Sequence, residues 1–202
     1  MSKFVIMETA RSIVSEIEAD KKLVVCEAPT GCGKTTALCL ALMELIQRSP
    51  ASRETCLALV LCANNDMAYF VYSKLYHLCS TASVRITGTL VLPKHWTVGS
   101  FEKLTNANIV VAPISLISLF DRTTPDLSSL RFLALTDCFR SVSSWQEHKR
   151  AFKNFAPTNF GGLVALTSKL NGLSRDMCQS ICELMTRTDA PVRAKVYTIL
   201  KN

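Results

Sequence analysis

Two periods of hydrophobic residues alternate along the chain. Short, continuous apolar runs separate longer segments in which apolar residues return every three or four positions. A continuous run is typical of a strand buried on both faces, whereas the longer period is typical of an amphipathic helix. Because the two kinds of segment alternate throughout the sequence, the pattern predicts an α/β fold: a mostly parallel sheet with helices on both faces.

The bounds of these segments follow from the pattern and from the turn residues between them. The first helix is predicted from an apolar stripe that consists of Ala10, Ile13, Val14 and Ile17. The later predicted helices are 36–48, 66–79, 114–120, 143–155 and 173–187. The predicted strands are 23–27, 57–62, a shorter one near 84–88, 107–113, 131–137 and 162–168. No linker divides them, so we expect a single domain, 1–202, at a length that suits one domain.

Neither a membrane span nor a secretory signal is expected. The longest apolar run, 56–63, is too short to cross a bilayer, and the first residues lack the apolar core of a signal peptide. The nine cysteines include no CxxC pair, which favours free thiols in a reducing compartment. We therefore expect a cytoplasmic protein.

One cysteine pair has the spacing of adjacent metal ligands. Cys178 and Cys182 are four residues apart on a predicted helix, where they could form half of a metal site or two core thiols. No second pair of ligands of the right type lies nearby in the sequence, so we expect buried core thiols.

The charge of the chain leaves nucleic-acid binding open. The formal net charge is +7, which favours polyanionic partners. The densest basic group consists of Arg140, Lys149, Arg150 and Lys153. An RNA contact and a solvated helix face explain this group equally well.

The segment 28–36, APTGCGKTT, follows a predicted strand directly and leads into a predicted helix. Small residues let such a loop wrap around a polyanion with its N–H groups pointing inwards, and the helix directs its positive end to the same point. Lys34 would contact the β and γ phosphates of a nucleotide, and the Thr35 hydroxyl would bind Mg²⁺. The predicted binding residues are Ala28, Pro29, Thr30, Gly31, Cys32, Gly33, Lys34, Thr35 and Thr36. The alternative, a chance glycine-rich turn, explains less well why strand and helix both adjoin the loop.

The order of these segments resembles the first RecA-like domain of superfamily 2 helicases, and that of DEAD-box RNA helicases most closely. The loop is similar to the AxTGxGKT form of their first motif. Four further segments stand where that family has its PTRELA, TPGRL, DEAD and SAT motifs: 59–68, 108–120, 130–140 and 163–170. The resemblance covers nearly the whole chain and implies a RecA-like phosphate-loop domain with ATP and Mg²⁺ as candidate cofactors.

The motif that supplies two acidic residues in this family has one here. At the DEAD position the chain reads Thr136-Asp137-Cys138-Phe139, with Thr136 at the magnesium-side aspartate and Asp137 at the water-orienting glutamate. Shifting the register by one makes Asp137 the magnesium-side residue, and Cys138 then replaces the glutamate. Either register makes Asp137 the candidate catalytic residue and, with Thr35, the candidate Mg²⁺ site. The alternative is that Asp137 only caps the end of the strand.

Residues that face RNA in the resembling family are replaced as well. Asn65 stands at the place of an arginine, and a second arginine is replaced by Ser115. A threonine and a glycine of the same motif are replaced by Ala112 and Ile114, and the SAT position reads Thr167-Ser168-Lys169. Losing two cations weakens binding to a phosphate backbone. No glutamine stands where the adenine-reading motif would precede the first strand.

Together, these replacements predict a pseudo-helicase domain. We expect a nucleotide-, RNA- or protein-binding scaffold in a ribonucleoprotein pathway, with a cytoplasmic granule as one setting. It would have little or no ATP hydrolysis and, with one RecA-like domain, no unwinding of its own. Trp96 and Trp145 are candidate contacts for a protein partner, with core packing as the alternative.

Two other functions stay open at this point. One is the ATP-binding half of an active RNA helicase, in which Asp137 positions the water. The other is a different phosphate-loop NTPase, such as a kinase-like or motor-like protein. The sequence does not predict the oligomeric state.

Overall fold

Five α-helices with described ends, and helical residues at 149–150 and 152–153, cover the sheet in the parts of the chain that the computed structural model describes. Those parts are residues 3–49, 56–82, 85–95, 106–120, 127–138, 149–150, 152–153, 157, 159–169, 172–186 and 194–198. The helices are α1 (Lys3–Glu18), α2 (Lys34–Arg48), α3 (Asn65–Ala82), α4 (Ile117–Phe120) and α5 (Gly172–Thr186). Two 3₁₀ turns lie at Pro93–His95 and Ile114–Leu116.

Seven strands form one sheet in which every described pair is parallel. The strands are β1 (Leu23–Glu27), β2 (Ala58–Cys62), β3 (Gly88–Leu90), β4 (Ile109–Pro113), β5 (Phe132–Thr136), β6 (Gly162–Thr167) and β7 (Ala194–Thr198). Their order across the sheet is β3-β4-β2-β5-β6-β1-β7. The predicted α/β fold with a parallel sheet is confirmed.

Each face of the sheet has its own hydrophobic core. On one face α1, α2 and α3 pack on alternate strand residues such as Val24 and Val60. On the other face α4 and α5 pack on the intervening residues, such as Leu23 and Leu59. The predicted stripe of α1, residues 10, 13, 14 and 17, is buried in the first core. The continuous apolar runs are therefore strands covered on both sides, as a parallel sheet requires.

Some boundaries differ from the prediction. Helix α2 begins at Lys34 rather than Thr36, because the loop ends at Gly33. Strand β3 lies at 88–90, later than the predicted 84–88. Strand β7 was not predicted, since the segment AKVYT is a mixed run without the continuous apolar pattern of the inner strands.

Other predictions lie wholly or partly outside the described residues. Trp96, Trp145 and Arg140 are not described, nor is most of the predicted helix 143–155. Residues 149–150 and 152–153 of that helix are helical, and the basic side chains of Arg150 and Lys153 are exposed. None of the described helices has the length and apolar content needed to cross a bilayer.

The cysteines are free thiols, and all except Cys32 of the phosphate loop lie in or against the two cores. Eight are buried and Cys79 is half-buried. Cys178 and Cys182 lie in the second core, as expected of core thiols. The described side chains include no group of three or more His, Cys, Asp or Glu that could hold a metal ion. Burial disfavours the thiolate and raises the pKa of Cys26, Cys56 and Cys178 from 9.0 to about 12.

We expect the free energy of unfolding to fall as the pH rises above about 9. The unfolded thiols ionise near 9.0, whereas the folded thiol of Cys56 ionises at about 12. The stabilisation is thus fully present below the unfolded pKa and is lost as the pH rises towards the folded one. At pH ~10 the loss is about 1 kcal/mol for each such thiol. Urea titrations across this range measure it.

A matched variant isolates one thiol in that experiment. Cys56→Ala should reduce the loss of unfolding free energy at alkaline pH by the contribution of one thiol, about 1 kcal/mol at pH ~10. An unfolding free energy that stays constant up to pH ~11 would contradict the neutral thiols of the core.

Candidate functional site

The carboxyl ends of β5, β6 and β1 bring the predicted site residues to one edge of the sheet. Glu27 at the end of β1 pairs with Thr167 of β6, and Thr136 at the end of β5 pairs with Leu166. Neighbouring strands lie about 4.8 Å apart, so Asp137, directly after β5, is about 10 Å across the sheet from the start of the loop. The loop 28–33 and the DEAD position thus share the crevice where ligands bind in open α/β sheets.

Two glycines give the loop its shape. Gly31 and Gly33 have φ of 80° and 81°, in the left-handed region that glycine adopts without a steric penalty. A Cβ built on Gly31 would meet no atom within 4 Å, so open space borders the loop at this point. Gly33 is the residue before α2 and has no side chain to cap the helix. The N–H groups at the start of α2 therefore have no capping side chain as an acceptor.

The first turn of α2 supplies hydrogen-bond donors at the loop. The first bond within the helix runs from the Ala37 N–H to the Gly33 carbonyl, at 3.0 Å. The N–H groups of Lys34, Thr35 and Thr36 precede that bond and have no acceptor inside an α-helix. Together with the positive end of the helix, they form an arrangement that fits a phosphate group.

Lys34 lies inside the loop rather than in solvent. Its side chain is buried, with 9% of the residue exposed. The Nζ donates to the carbonyl of Ala28 at 2.5 Å and to that of Pro29 at 3.0 Å. The ammonium charge is therefore placed at the loop, where a phosphate oxygen would have to replace or join these carbonyls.

A chain of hydrogen bonds joins the loop to the DEAD position across β6. The N–H of Ala28 donates to the Thr167 carbonyl at 3.1 Å. One residue further on, the N–H of Ser168 donates to Oδ1 of Asp137 at 3.0 Å. The N–H of Asp137 in turn donates to the Leu166 carbonyl at 2.9 Å. The predicted loop and the predicted acid are thus brought together through the end of one strand.

The hydrogen bond from the Ser168 N–H gives the carboxylate of Asp137 a structural role. Its φ of 50° is in the left-handed region, which is uncommon outside glycine and best tolerated by Asn and Asp. Through the bond to Ser168, the carboxylate caps the end of β6, the strand beside β5, which Asp137 itself follows. The side chain is only half-buried, and it lies at the edge of the site.

The neighbours of Asp137 are neutral and directed at β2. The Thr136 hydroxyl donates to the Leu61 carbonyl at 3.4 Å, and Thr136 is 2% exposed. The Cys138 thiol donates to the same carbonyl at 3.1 Å. Burial, followed by the neighbouring Cys62, raises the pKa of Cys138 well above 9.0, so this thiol is uncharged at neutral pH. In either register of the motif, Asp137 is flanked by groups that are not acids.

These residues fit a nucleotide phosphate better than they fit a metal ion. The phosphate would have the N–H groups of α2 and the ammonium of Lys34. For Mg²⁺ the predicted ligands are Thr35, half-buried in the first turn of α2, and Asp137, one of whose oxygens already accepts the Ser168 N–H. Magnesium prefers oxygen ligands of this type, but usually keeps several waters when protein ligands are few.

At the two positions where the resembling family carries arginines, the chain has short polar side chains. Asn65 is the half-buried first residue of α3, and Ser115 is exposed beside the half-buried Ile114. Asn64 caps α3, since its Oδ1 accepts the Met67 N–H at 2.9 Å. Asparagine directly before a helix is a recognisable capping signal, which sequence reasoning passed over.

The SAT position makes a local turn. The Thr167 hydroxyl donates to the Lys169 carbonyl at 3.0 Å and accepts the Lys169 N–H at 3.2 Å. Both bonds stay within three residues, so this side chain is engaged by its own backbone. Lys169 itself is exposed.

Comparison with known proteins decides the family. A sequence profile described as DEAD/DEAH box helicase matches residues 8–189. The chain belongs to this family. A sequence comparison with curated proteins finds no match.

Solved DEAD-box structures share the fold of this family member at low sequence identity. A DEAD-box protein of Methanococcus jannaschii has a TM-score of 0.71 at 16% identity, covering 95% of this chain and 49% of its own. The helicase Mss116, bound to single-stranded RNA and UDP-BeF, gives 0.76 at 14%, covering 97% and 39%. A Saccharomyces cerevisiae Dbp5 variant bound to Nup159, Gle1, IP6 and ADP gives 0.68 at 15%, covering 97% and 52%. The chain therefore has a RecA-like fold and spans about half the length of these proteins or less.

We expect Gly31→Ala to lower the free energy of unfolding by about 1 kcal/mol. The cost comes from the left-handed backbone, because a Cβ there meets no atom within 4 Å. Gly31→Asn is the matched control and should cost less, since asparagine tolerates this conformation. Urea denaturation measures both, and equal losses of several kcal/mol would indicate a steric clash instead.

We expect Asp137→Ala to destabilise the domain by about 1–2 kcal/mol, and Asp137→Asn by less. Alanine leaves the Ser168 N–H without its acceptor in an unfavourable backbone conformation, whereas asparagine keeps an oxygen in place. The same denaturation experiment compares the two variants. If asparagine costs as much as alanine, the negative charge itself is what the fold needs.

Proposed function

We propose that this DEAD/DEAH box helicase domain is a nucleotide-binding scaffold in a ribonucleoprotein pathway of the cytoplasm, with little or no ATP hydrolysis and no unwinding of its own. The observation that carries the proposal is a contrast within one site. The phosphate loop has its donors and its ammonium in place, whereas Asp137 is the one acid of a motif whose neighbours Thr136 and Cys138 are neutral and buried.

Binding depends on groups that the loop presents through its backbone. The N–H groups at the start of α2 would contact phosphate oxygens, and Lys34 would add a charge-assisted contact. To do so, Lys34 exchanges or shares its bonds to Ala28 and Pro29, which moderates the gain in affinity. Bound ATP with Mg²⁺ supplies the phosphoryl group whose transfer phosphate-loop enzymes accelerate.

Hydrolysis depends on charged side chains that this site lacks. Phosphoryl transfer is accelerated almost wholly by positioning and by charge stabilisation. Losing one aligned group of this kind commonly lowers the rate by about 10²–10³. The neutral thiol of Cys138 replaces neither a metal ligand nor a base. One oxygen of Asp137 already accepts the Ser168 N–H, so we expect hydrolysis at this site to be slow even when a nucleotide is bound.

By analogy with solved members of the family, we propose that the domain contacts RNA weakly and also contacts proteins. Mss116 has been solved with single-stranded RNA, and the Dbp5 variant with Nup159 and Gle1. In this chain Asn65 and Ser115 provide no cation for a phosphate backbone, so RNA affinity is lower and depends less on salt. Contacts with protein partners, rather than with RNA, then hold the domain in its assembly.

A second candidate function is the ATP-binding half of an active RNA helicase. One observation favours it: Asp137 is held in a left-handed conformation at the edge of the site, and backbone strain of this kind clusters at functional sites. Its carboxylate would then orient the attacking water. Because the chain belongs to the helicase family, we discard the third possibility, a kinase-like or motor-like protein.

We expect the purified domain to bind ATP with Mg²⁺ and to release no phosphate above background, with or without RNA. Lys34→Ala should weaken ATP binding at least about tenfold, because a charge-assisted hydrogen bond is lost. Isothermal titration with a non-hydrolysable ATP analogue measures binding, and release of inorganic phosphate measures turnover.

Lys74→Ala is the control for charge, since Lys74 is exposed on α3 away from the loop and should leave ATP binding unchanged. RNA-stimulated turnover that disappears in Asp137→Asn would support the active helicase instead. ATP binding equal in Lys34→Ala and in the parent chain would contradict a phosphate-binding loop.

A further inference from the structure

Strand β3 lies at one end of the sheet, and in the part of the chain that the structure describes β4 is the one strand beside it. The Thr87 carbonyl accepts an N–H of β4 at 3.1 Å, and the Val91 N–H donates to a carbonyl of β4 at 2.9 Å. In a strand, the N–H and C=O of one residue point to one side and those of the next residue to the other, so Thr89 also faces β4. The N–H and C=O groups of Gly88 and Leu90 point away from the sheet, and we call this row of backbone groups the β3 edge.

A cavity of about 320 Å³ lies between α3 and the β3 edge. Tyr72, Leu75 and Tyr76 line it from the helix, and Ile86 and Gly88 line it from the strand and the residues before it. Since Gly88 has no side chain, the cavity extends to the backbone of the β3 edge. Its volume is at the lower end of the roughly 300–1,000 Å³ of ligand pockets, which suits one apolar side chain of a partner rather than a whole cofactor.

Three of the four tyrosines of the chain form a stripe on α3 next to this cavity. Tyr69, Tyr72 and Tyr76 follow one another at spacings of three and four residues, which places them on one side of the helix. The rings of Tyr72 and Tyr76 have centroids 6.4 Å apart, and Tyr76 is 66% exposed. Exposed tyrosines grouped around a cavity are typical of protein interfaces, because they bury a large and rigid area at a small cost in entropy.

The surface around the β3 edge is basic. Residues 67–95, which contain β3 and nearly all of α3, include Lys74, Arg85 and Lys94 but no Asp or Glu. All three cations are exposed, and no ion pair among the described residues includes them. Asp66, the acid in the first turn of α3, is about 15 Å along the helix from Tyr76. A partner with acidic residues is therefore complementary to this edge.

We propose that the β3 edge binds an extended acidic segment of a partner protein, which adds a strand to the sheet. The backbone of this segment bonds to Gly88 and Leu90, and every second side chain faces α3, where one apolar side chain fills the cavity. A single-stranded RNA also suits cations and tyrosines, but it leaves the backbone groups of the β3 edge without strand partners. The proposal rests on the protein partners proposed for the domain above, and not on nucleotide binding.

A selection from random peptides tests both the charge and the backbone pairing. The full chain is exposed to a library of random twelve-residue peptides displayed on phage, and the enriched peptides are synthesised. We expect these peptides to be acidic, with apolar residues at alternate positions. On binding, they should slow hydrogen exchange of the Gly88 and Leu90 amides in the ¹⁵N-labelled chain at least about tenfold, whereas the Thr89 amide, already bonded to β4, changes little.

Two substitutions at Gly88 isolate the backbone bond. Gly88→Pro and Gly88→Ala both add a Cβ, which an ideal geometry places 3.0 Å from the Leu75 side chain. Proline alone also removes the outward N–H, and an edge strand tolerates proline where that N–H faces solvent. We expect Gly88→Pro to bind the peptides at least about fivefold more weakly than Gly88→Ala.

Two substitutions on α3 isolate the cavity. Tyr76→Ala removes an aromatic wall of the cavity and should weaken peptide binding at least about tenfold. Phe70→Ala is the matched control, since Phe70 is 50% exposed on α3 but does not line the cavity, and it should leave the affinity unchanged. Fluorescence anisotropy of a labelled peptide measures both affinities.

The test also separates this proposal from nucleotide binding. Lys34→Ala alters the phosphate loop and should leave peptide binding unchanged, and Tyr76→Ala should leave ATP binding unchanged. A chain that binds ATP but enriches no peptide contradicts the β3 edge alone, whereas a chain that binds the peptides but no ATP contradicts the phosphate loop alone.

Four further results would overturn the proposal. The first is a set of enriched peptides without an excess of acidic residues. The second is hydrogen exchange of the Gly88 and Leu90 amides that bound peptide leaves unchanged. The third is equal affinity in Gly88→Pro and Gly88→Ala, or equal losses in Tyr76→Ala and Phe70→Ala. The fourth is binding of a poly-uridine RNA that Tyr76→Ala weakens, which would make the tyrosine stripe an RNA surface.

Discussion

The hydrogen bond from the Ala28 N–H to the Thr167 carbonyl fixes the relation between the two halves of the candidate site. It ties the start of the phosphate loop to the end of β6, which separates β1 from β5. The next backbone group along, the Ser168 N–H, holds the Asp137 carboxylate. Loop and acid are therefore positioned by one strand end. A change in the length or register of β6 would displace both together.

Backbone groups and side chains have different parts in this site. The groups suited to phosphate are mostly N–H donors placed by two glycines and by the first turn of α2, and they persist whatever the neighbouring side chains are. The groups that would act on the phosphoryl bond are side chains, and there Thr136 and Cys138 are directed at the Leu61 carbonyl instead. Replacing the side chains that would act on the phosphoryl bond therefore leaves the backbone donors for phosphate in place.

The sequence predicted those parts of the molecule that depend on local pattern. The inner strands and the stripe of α1 follow from apolar periodicity, and the loop follows from its glycines and its place between strand and helix. The edge strand β7 was missed because it lacks a continuous apolar run and is completed by pairing with β1. The bonds of Lys34 and the capping of β6 by Asp137 join residues that are apart in the sequence and depend on side-chain rotamers. No local pattern contains them.

The burial of the cysteine thiols determines when they can react with oxidants. While the chain is folded, eight of its nine cysteines are buried and shielded from oxidants. Once unfolded, all of them become accessible together, and thiols such as Cys26, Cys56 and Cys178 ionise more readily because water stabilises the thiolate. Where an oxidant is present, two of these thiols form a non-native disulfide, which traps the chain before it refolds. In an oxidising environment, the lifetime of this domain is therefore set by how fast it opens rather than by its equilibrium stability.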